Sequence, residues 1–183
     1  MPIVAVASPK GGSGKSTASV ILGTELAYAG AEVVILDCDP NRSISIWADR
    51  APLPPRITVK SDVGESEIVR TIKQQDADGR IVVVDLEGVA SRLVSRAISQ
   101  ADLVLTPMRA TTLDATISVR AIALVQEEIT TETGRHVEIS LDFIHDDQGG
   151  APQEALGALL TLHDLESVRE IEGELELSRR RFR

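Results

Sequence analysis

The chain has 183 residues, enough for one domain with a substantial core. Hydrophobic residues make up 43% and aromatics only 2%, so that core must be aliphatic, built from Val, Ile, Leu and Ala. The formal net charge of −9 argues against a generally basic nucleic-acid binder and leaves only a local patch, such as Arg179, Arg180, Arg181 and Arg183.

No apolar run approaches the roughly 18 to 20 residues that a membrane span needs. The first residues lack a basic segment followed by an apolar one, so no signal peptide is expected. The single cysteine, Cys38, cannot form an intramolecular disulfide and suits a reducing cytoplasm.

Along the chain, strand and helix patterns alternate. "PIVAVA" is an apolar strand that runs into the glycine-rich "SPKGGSGKST". Residues Ser16 to Ala29 read as a helix stopped by Gly30. "EVVILD" is a second buried strand, ending in "DCDP". Ser43 to Asp49 is a short helix broken by "APLPP", and "RITVK" alternates like a strand. Glu65 to Gln74 is helical, with Ile68, Val69 and Ile72 on one face, and "DADG" turns the chain. "RIVVVD" is a third strong strand, Ser91 to Ser99 a helix, "DLVLTP" a strand, Leu113 to Thr130 a long helix and "HVEISLDFI" a strand. "HDDQGGAPQ" is a turn-rich loop, "EALGALLTLHDL" is helical in pattern, and Val168, Ile171 and Leu175 keep helical spacing that Gly173 interrupts.

Near-continuous apolar strands separated by helices predict an α/β fold. It is a doubly wound, mostly parallel sheet with helices on both faces. In such sheets ligands bind at the carboxyl ends of the strands. Three strands end in a polar motif here, "SPKGGSGKST", "DCDPNR" and "DLEG", which places one site at one edge of the sheet.

Each motif has its own chemistry. Glycines without Cβ let backbone N–H groups turn inward around phosphate oxygens, and the following helix adds its N-terminal dipole. Lys15 would then reach the β- and γ-phosphates and the Ser16 hydroxyl would bind Mg²⁺. The spacing G-x-x-x-x-G-K-[ST] fails only at Pro9. Asp37 and Asp39, at i and i+2, point to one side if the strand continues, so that one can serve the Mg²⁺ shell and the other orient an attacking water. Asp85, after four apolar residues, fits a Walker-B acid. Cys38 and Trp47 read as packing residues. His136, His145 and His163 show no metal-ligand spacing with Cys38, so no zinc site is expected.

"KGGSGKST" resembles the deviant Walker A loop of the ParA/MinD family of P-loop ATPases, K-G-G-x-G-K-[ST]. That pattern needs no glycine at position 9 and adds a signature lysine, here Lys10. "LDCDPNRSISIW" is similar to the second motif of partition ATPases, and "LVLTPMRATTLD" to a later strand-loop-helix segment. The resemblance covers about residues 1 to 125 and points most closely to short ParA-type partition ATPases. Leu86 and Glu87 stand where the family often has Thr-Pro, and Asn41 where it often has Gln.

The resemblance implies a P-loop ATPase that uses ATP and Mg²⁺. Nucleotide would be held by Lys10, Gly11, Gly12, Ser13, Gly14, Lys15, Ser16 and Thr17, and Mg²⁺ by Ser16, Asp37 and Asp85. The catalytic set would be Lys10, acting across an ATP-dependent homodimer, Lys15 in cis, and Asp39, which would position the attacking water. One ATPase domain would span 1–183, although the pattern from about residue 145 departs from the family's. The implied function is partitioning of plasmid or chromosomal DNA in the cytoplasm. The implied partners are a ParB-like centromere-binding activator and, as a further possibility, nonspecific DNA on the nucleoid. With the first strand at Ile3, the short type without a helix-turn-helix domain is expected.

Alternatives are a MinD-like membrane-associated ATPase, a conjugation-associated ParA relative and a hydrolysis-deficient homologue. Membrane association is disfavoured because Glu166, Glu170, Glu172, Glu174 and Glu176 precede Phe182 and the arginines. Metabolic ligases on the same scaffold generally lack the signature lysine. A bacterial tyrosine kinase would carry a Tyr-rich tail, whereas the one tyrosine is Tyr28.

Overall fold

The computed structural model describes residues 1–88, 91–109 and 138–144, with three single positions, 117, 123 and 130, each helical. The chain runs β1 (Ile3–Val6), α1 (Lys15–Tyr28), β2 (Val33–Asp37), α2 (Ser43–Arg50), β3 (Ile57–Lys60), α3 (Ile68–Ala77), β4 (Ile81–Asp85), α4 (Arg92–Ile98), β5 (Leu103–Arg109) and β6 (Glu138–Ile144). The expected helix from Leu113 to Thr130 lies outside the described residues except at those single positions. The elements expected beyond residue 144, and the three histidines, lie wholly outside them.

The strands form one six-stranded sheet in the order β3-β2-β4-β1-β5-β6. Every pair in it is parallel. From β1 the chain moves outward to β2 and β3, returns to β4 beside β1, and then continues on the other side with β5. The connections leaving the neighbours β1 and β4 therefore diverge, which opens a crevice at their carboxyl ends.

Strand side chains alternate between faces, and the core divides accordingly. Val34, Leu36, Val82 and Val84 pack with Ile68 and Ile72 of α3 and with Val94, Ala97 and Ile98 of α4. Val33, Ile35 and Val83 pack on the other face with Ala27, Val20, Leu22 and Leu26 of α1 and with Ile44 and Trp47 of α2. The near-continuous apolar strands thus feed two cores, as a sheet covered on both faces requires. Trp47 is the half-buried packing residue that its position suggested.

Gly23 shows how closely α1 sits on the sheet. A Cβ built there would lie 2.9 Å from Ile35 Cδ1, so the helix approaches β2 through a residue without a side chain.

One helix differs from expectation. The predicted start at Glu65 gives way to a turn in which Glu67 and Ile68 N–H both donate to the Gly64 carbonyl at 3.0 Å. The helix begins at Ile68 and runs to Ala77. It buries Ile68, Ile72 and Gln75, one face at i, i+4 and i+7. Arg96 of α4 donates to the Glu65 carbonyl at 3.0 Å and so anchors that turn outside the helix.

Candidate nucleotide site

The register of the sheet builds the site. Asp85 is opposite both Val6 on β1 and Asp37 on β2. Ile35 and Val83 face α1 and α2, so Asp37 and Asp85, two residues further on, face the same side. That side is where the first turns of α1 and α2 begin. The two carboxylates are buried at 3% and 0% exposure.

The loop before α1 supplies the other wall. Gly12 has φ +71° and Gly14 φ +87°, left-handed conformations that L side chains rarely adopt. Gly14 directly precedes α1 and takes the position of its cap, with no side chain closing the helix end. The N–H groups of the first turn therefore have no side-chain cap, the arrangement that suits an anion at a helix N-terminus. Lys10, Gly11, Gly12 and Thr17 are exposed, Gly14 and Ser16 half-buried, and Ser13 and Lys15 buried.

Asp85 is held from α1. Ser16 Oγ donates to its Oδ2 at 2.7 Å, and Ser19 Oγ lies 3.0 Å from its Oδ1. Ser19 Oγ is also 3.0 Å from the Lys15 carbonyl, so its one proton chooses between the two acceptors. Burial pushes the Asp85 carboxyl up to about 6; the two serine hydrogen bonds oppose this, and the charges of Asp37 and Asp39 reinforce it.

Asp37 is held from α2. Its Oδ2 accepts from Ser45 N–H at 2.8 Å and from Ser45 Oγ at 2.6 Å. Its Oδ1 is buried and has no hydrogen-bond partner among the described residues, and neither has Ser13 Oγ. Asp39 is half-buried, and its Oδ1 accepts from Asn41 N–H at 2.8 Å. Arg42 follows in a left-handed conformation at φ 50° and forms an ion pair with Asp62, itself at φ 63°.

Cys38 sits between the two aspartates, packed against the α3/α4 core. Burial, with the charges of Asp37 and Asp85, pushes its thiol up to about 12, so it stays protonated and inert.

These residues fit a divalent cation beside a phosphate. A buried carboxylate oxygen without a donor, and a neighbouring carboxyl raised chiefly by burial and further by nearby negative charge, are both relieved by a cation. Ser16 bridges this acidic pair to the glycine loop. All the predicted site residues from Lys10 to Thr17, with Asp37, Asp39 and Asp85, are brought to the carboxyl edge of β1, β2 and β4. Ser19 and Ser45 were missed. Ser19 could have been found as the residue three beyond Ser16 on the same helix face; Ser45 has no comparable signal, because only the packing of α2 brings it to Asp37.

A glycine loop between a central parallel strand and a helix, backed by an acid on the adjacent strand, defines the P-loop NTPase fold. The chain belongs to the CobQ/CobB/MinD/ParA nucleotide binding domain family, whose model matches residues 4–119. It is 65% identical over 128 residues to protein ParA of Rhizobium radiobacter, covering 70% of this chain and 58% of that protein. It is 33% identical over 95 residues to the chromosome partitioning protein ParA of Caulobacter vibrioides, covering 50% of this chain and 36% of that one. The chain thus spans about half the length, or less, of these relatives. Among solved structures, the ATP complex of an aspartate-to-alanine variant of Cyanothece McdA superposes with a TM-score of 0.70 at 16% identity, over 88% of this chain and 78% of that one. Among the described residues no helix is long and apolar enough to cross a membrane.

Proposed function

We propose that this chain is a ParA-type partition ATPase, which binds ATP with Mg²⁺, dimerises in that state and hydrolyses ATP to ADP and phosphate. The observation that carries the reading is the register of Asp37 with Asp85 on adjacent strands, with Ser16 of the glycine loop hydrogen-bonded to Asp85. The 65% identity to a protein named ParA supports the partition role.

In this reading the loop from Lys10 to Thr17 binds the phosphates, with Lys15 as the lysine in cis. Ser16, Asp37 and Asp85 hold Mg²⁺, which would neutralise charge on the transferred phosphoryl group. Asp39, tethered by one oxygen to Asn41 N–H, keeps its other oxygen for orienting the attacking water. Lys10, on the exposed part of the loop, reaches the nucleotide of a second protomer and supplies positive charge in trans, as an arginine finger does. ATP then joins two subunits and hydrolysis releases them.

The cargo is plasmid or chromosomal DNA, the activator a ParB-like centromere-binding protein, and the setting the cytoplasm, with nonspecific DNA of the nucleoid as a further partner. Sizing by light scattering with a DNA-retention assay, in ADP and in ATP, tests this. A dimer that retains DNA only in ATP is expected. A chain that stays monomeric in ATP at concentrations that saturate its site refutes the partition reading.

A further inference from the structure

The two oxygens of Asp37 are treated differently. Oδ2 receives both hydrogen-bond donors of a single residue, the N–H and the hydroxyl of Ser45, at 2.8 and 2.6 Å. Oδ1, itself buried, receives none among the described residues. Hydrogen bonds to a charged acceptor are roughly twice as strong as neutral ones. Rotating the carboxylate partway out of this orientation would break two of them together, so Ser45 fixes the direction in which the second oxygen is presented.

Ser45 also links two parts of the fold. It is the third residue of α2, a helix of eight residues whose own cap position, Arg42, offers no side-chain cap. Asp37, at the end of β2, therefore serves as the cap of α2 from outside the helix. A ligand that pulls on Oδ1 also pulls, through Ser45, on the first turn of α2.

We propose that Ser45 is a positioning residue for the divalent cation. It pins Asp37 by Oδ2 so that Oδ1 is presented to the cation or to a water of its shell, and it couples α2 to occupancy of that position. This rests on the reading of the site as one for nucleotide with Mg²⁺. Outer-shell partners of this kind are worth about 10- to 100-fold in metal affinity.

The protein carries its own reporter. Trp47 is the single tryptophan, two residues beyond Ser45 on α2, half-buried against the α1/α2 core. The test uses ADP, so that turnover does not intervene, on the full chain and on Ser45→Ala and Ser45→Thr. ADP affinity is measured in chelator. Mg²⁺ is then titrated at saturating ADP, followed by Trp47 fluorescence and by calorimetry.

Three results are expected. ADP affinity in chelator is the same in all three proteins. Ser45→Ala needs about tenfold more Mg²⁺ for half-saturation and loses most of the Trp47 response, because its remaining N–H bond no longer locks the carboxylate. Ser45→Thr, which keeps the hydroxyl, stays within about twofold of the unsubstituted chain. Unchanged Mg²⁺ affinity in Ser45→Ala overturns the proposal while leaving the site reading intact. So does an equal loss in Ser45→Thr, which would mark a packing effect. If ADP binding by the unsubstituted chain does not respond to Mg²⁺, the site reading itself falls and the proposal falls with it.

Discussion

The buried Asp85 carboxyl makes the stability of the ligand-free chain depend on pH. Its carboxyl is fully buried and raised from 3.8 to about 6, chiefly by burial. A raised carboxyl binds more protons in the folded state than in the unfolded one, so stability falls as pH rises between the two values. The penalty is absent below the unfolded value, grows through the interval and is complete above the folded one. At 1.36 kcal/mol per pH unit, the whole interval amounts to about 3 kcal/mol. Above pH 5 most other carboxylates are already ionised, and the last unit of the interval leaves about 1 kcal/mol to be lost between pH 5 and 7.5. Urea unfolding in chelator should therefore show the ligand-free chain becoming less stable over that range. Asp85→Asn, which cannot ionise, removes this component and separates it from the titration of the three histidines. Saturating Mg²⁺ and ADP should flatten the same component, because a cation offsets the buried charge. Identical slopes for the unsubstituted chain and Asp85→Asn in chelator would show that the buried Asp85 carries no such penalty.

Four further outcomes are expected. Lys15→Ala should abolish ATP binding, since it removes the cation buried at the glycine loop; unchanged binding by calorimetry would remove the phosphate-loop assignment. Asp39→Ala should keep ATP binding, slow hydrolysis by about 100-fold or more and prolong the ATP dimer, on the scale typical of a lost general base; normal turnover of labelled ATP rejects that role. Lys10→Gln should leave ATP binding by the monomer intact and weaken the ATP dimer, and light scattering that still shows a full dimer refutes contact in trans. Gly14→Ala forces a left-handed conformation on a residue with a Cβ and should cost about 1–2 kcal/mol in urea unfolding while weakening nucleotide binding more than it weakens the fold; full ATP affinity would show that the loop does not need that conformation.

The alternation of strand and helix, the three motif-bearing strand ends and the family are all legible in the order of the amino acids. These follow from local spacing. Apolar runs of four or five residues end in polar groups, and glycines stand where a loop must turn left-handed. It also contained the parity that sends Asp37 and Asp85 to one face, because each lies two residues beyond an inward-facing Ile35 or Val83. The start of α3 was misjudged by three residues, since apolar spacing cannot reveal that Arg96, from a different helix, holds Glu65 in a turn.

How the acids are used depends on packing between elements far apart in the chain. That Asp85 meets Ser16 and Ser19, 69 and 66 residues away in the chain, depends on β4 inserting beside β1. That Asp37 spends one oxygen on Ser45 and keeps the other depends on how α2 packs over β2. The "DCDP" motif was legible as two candidate acids, but a carboxylate's available lone pairs are set by donors brought to it through space. No spacing along one strand encodes them.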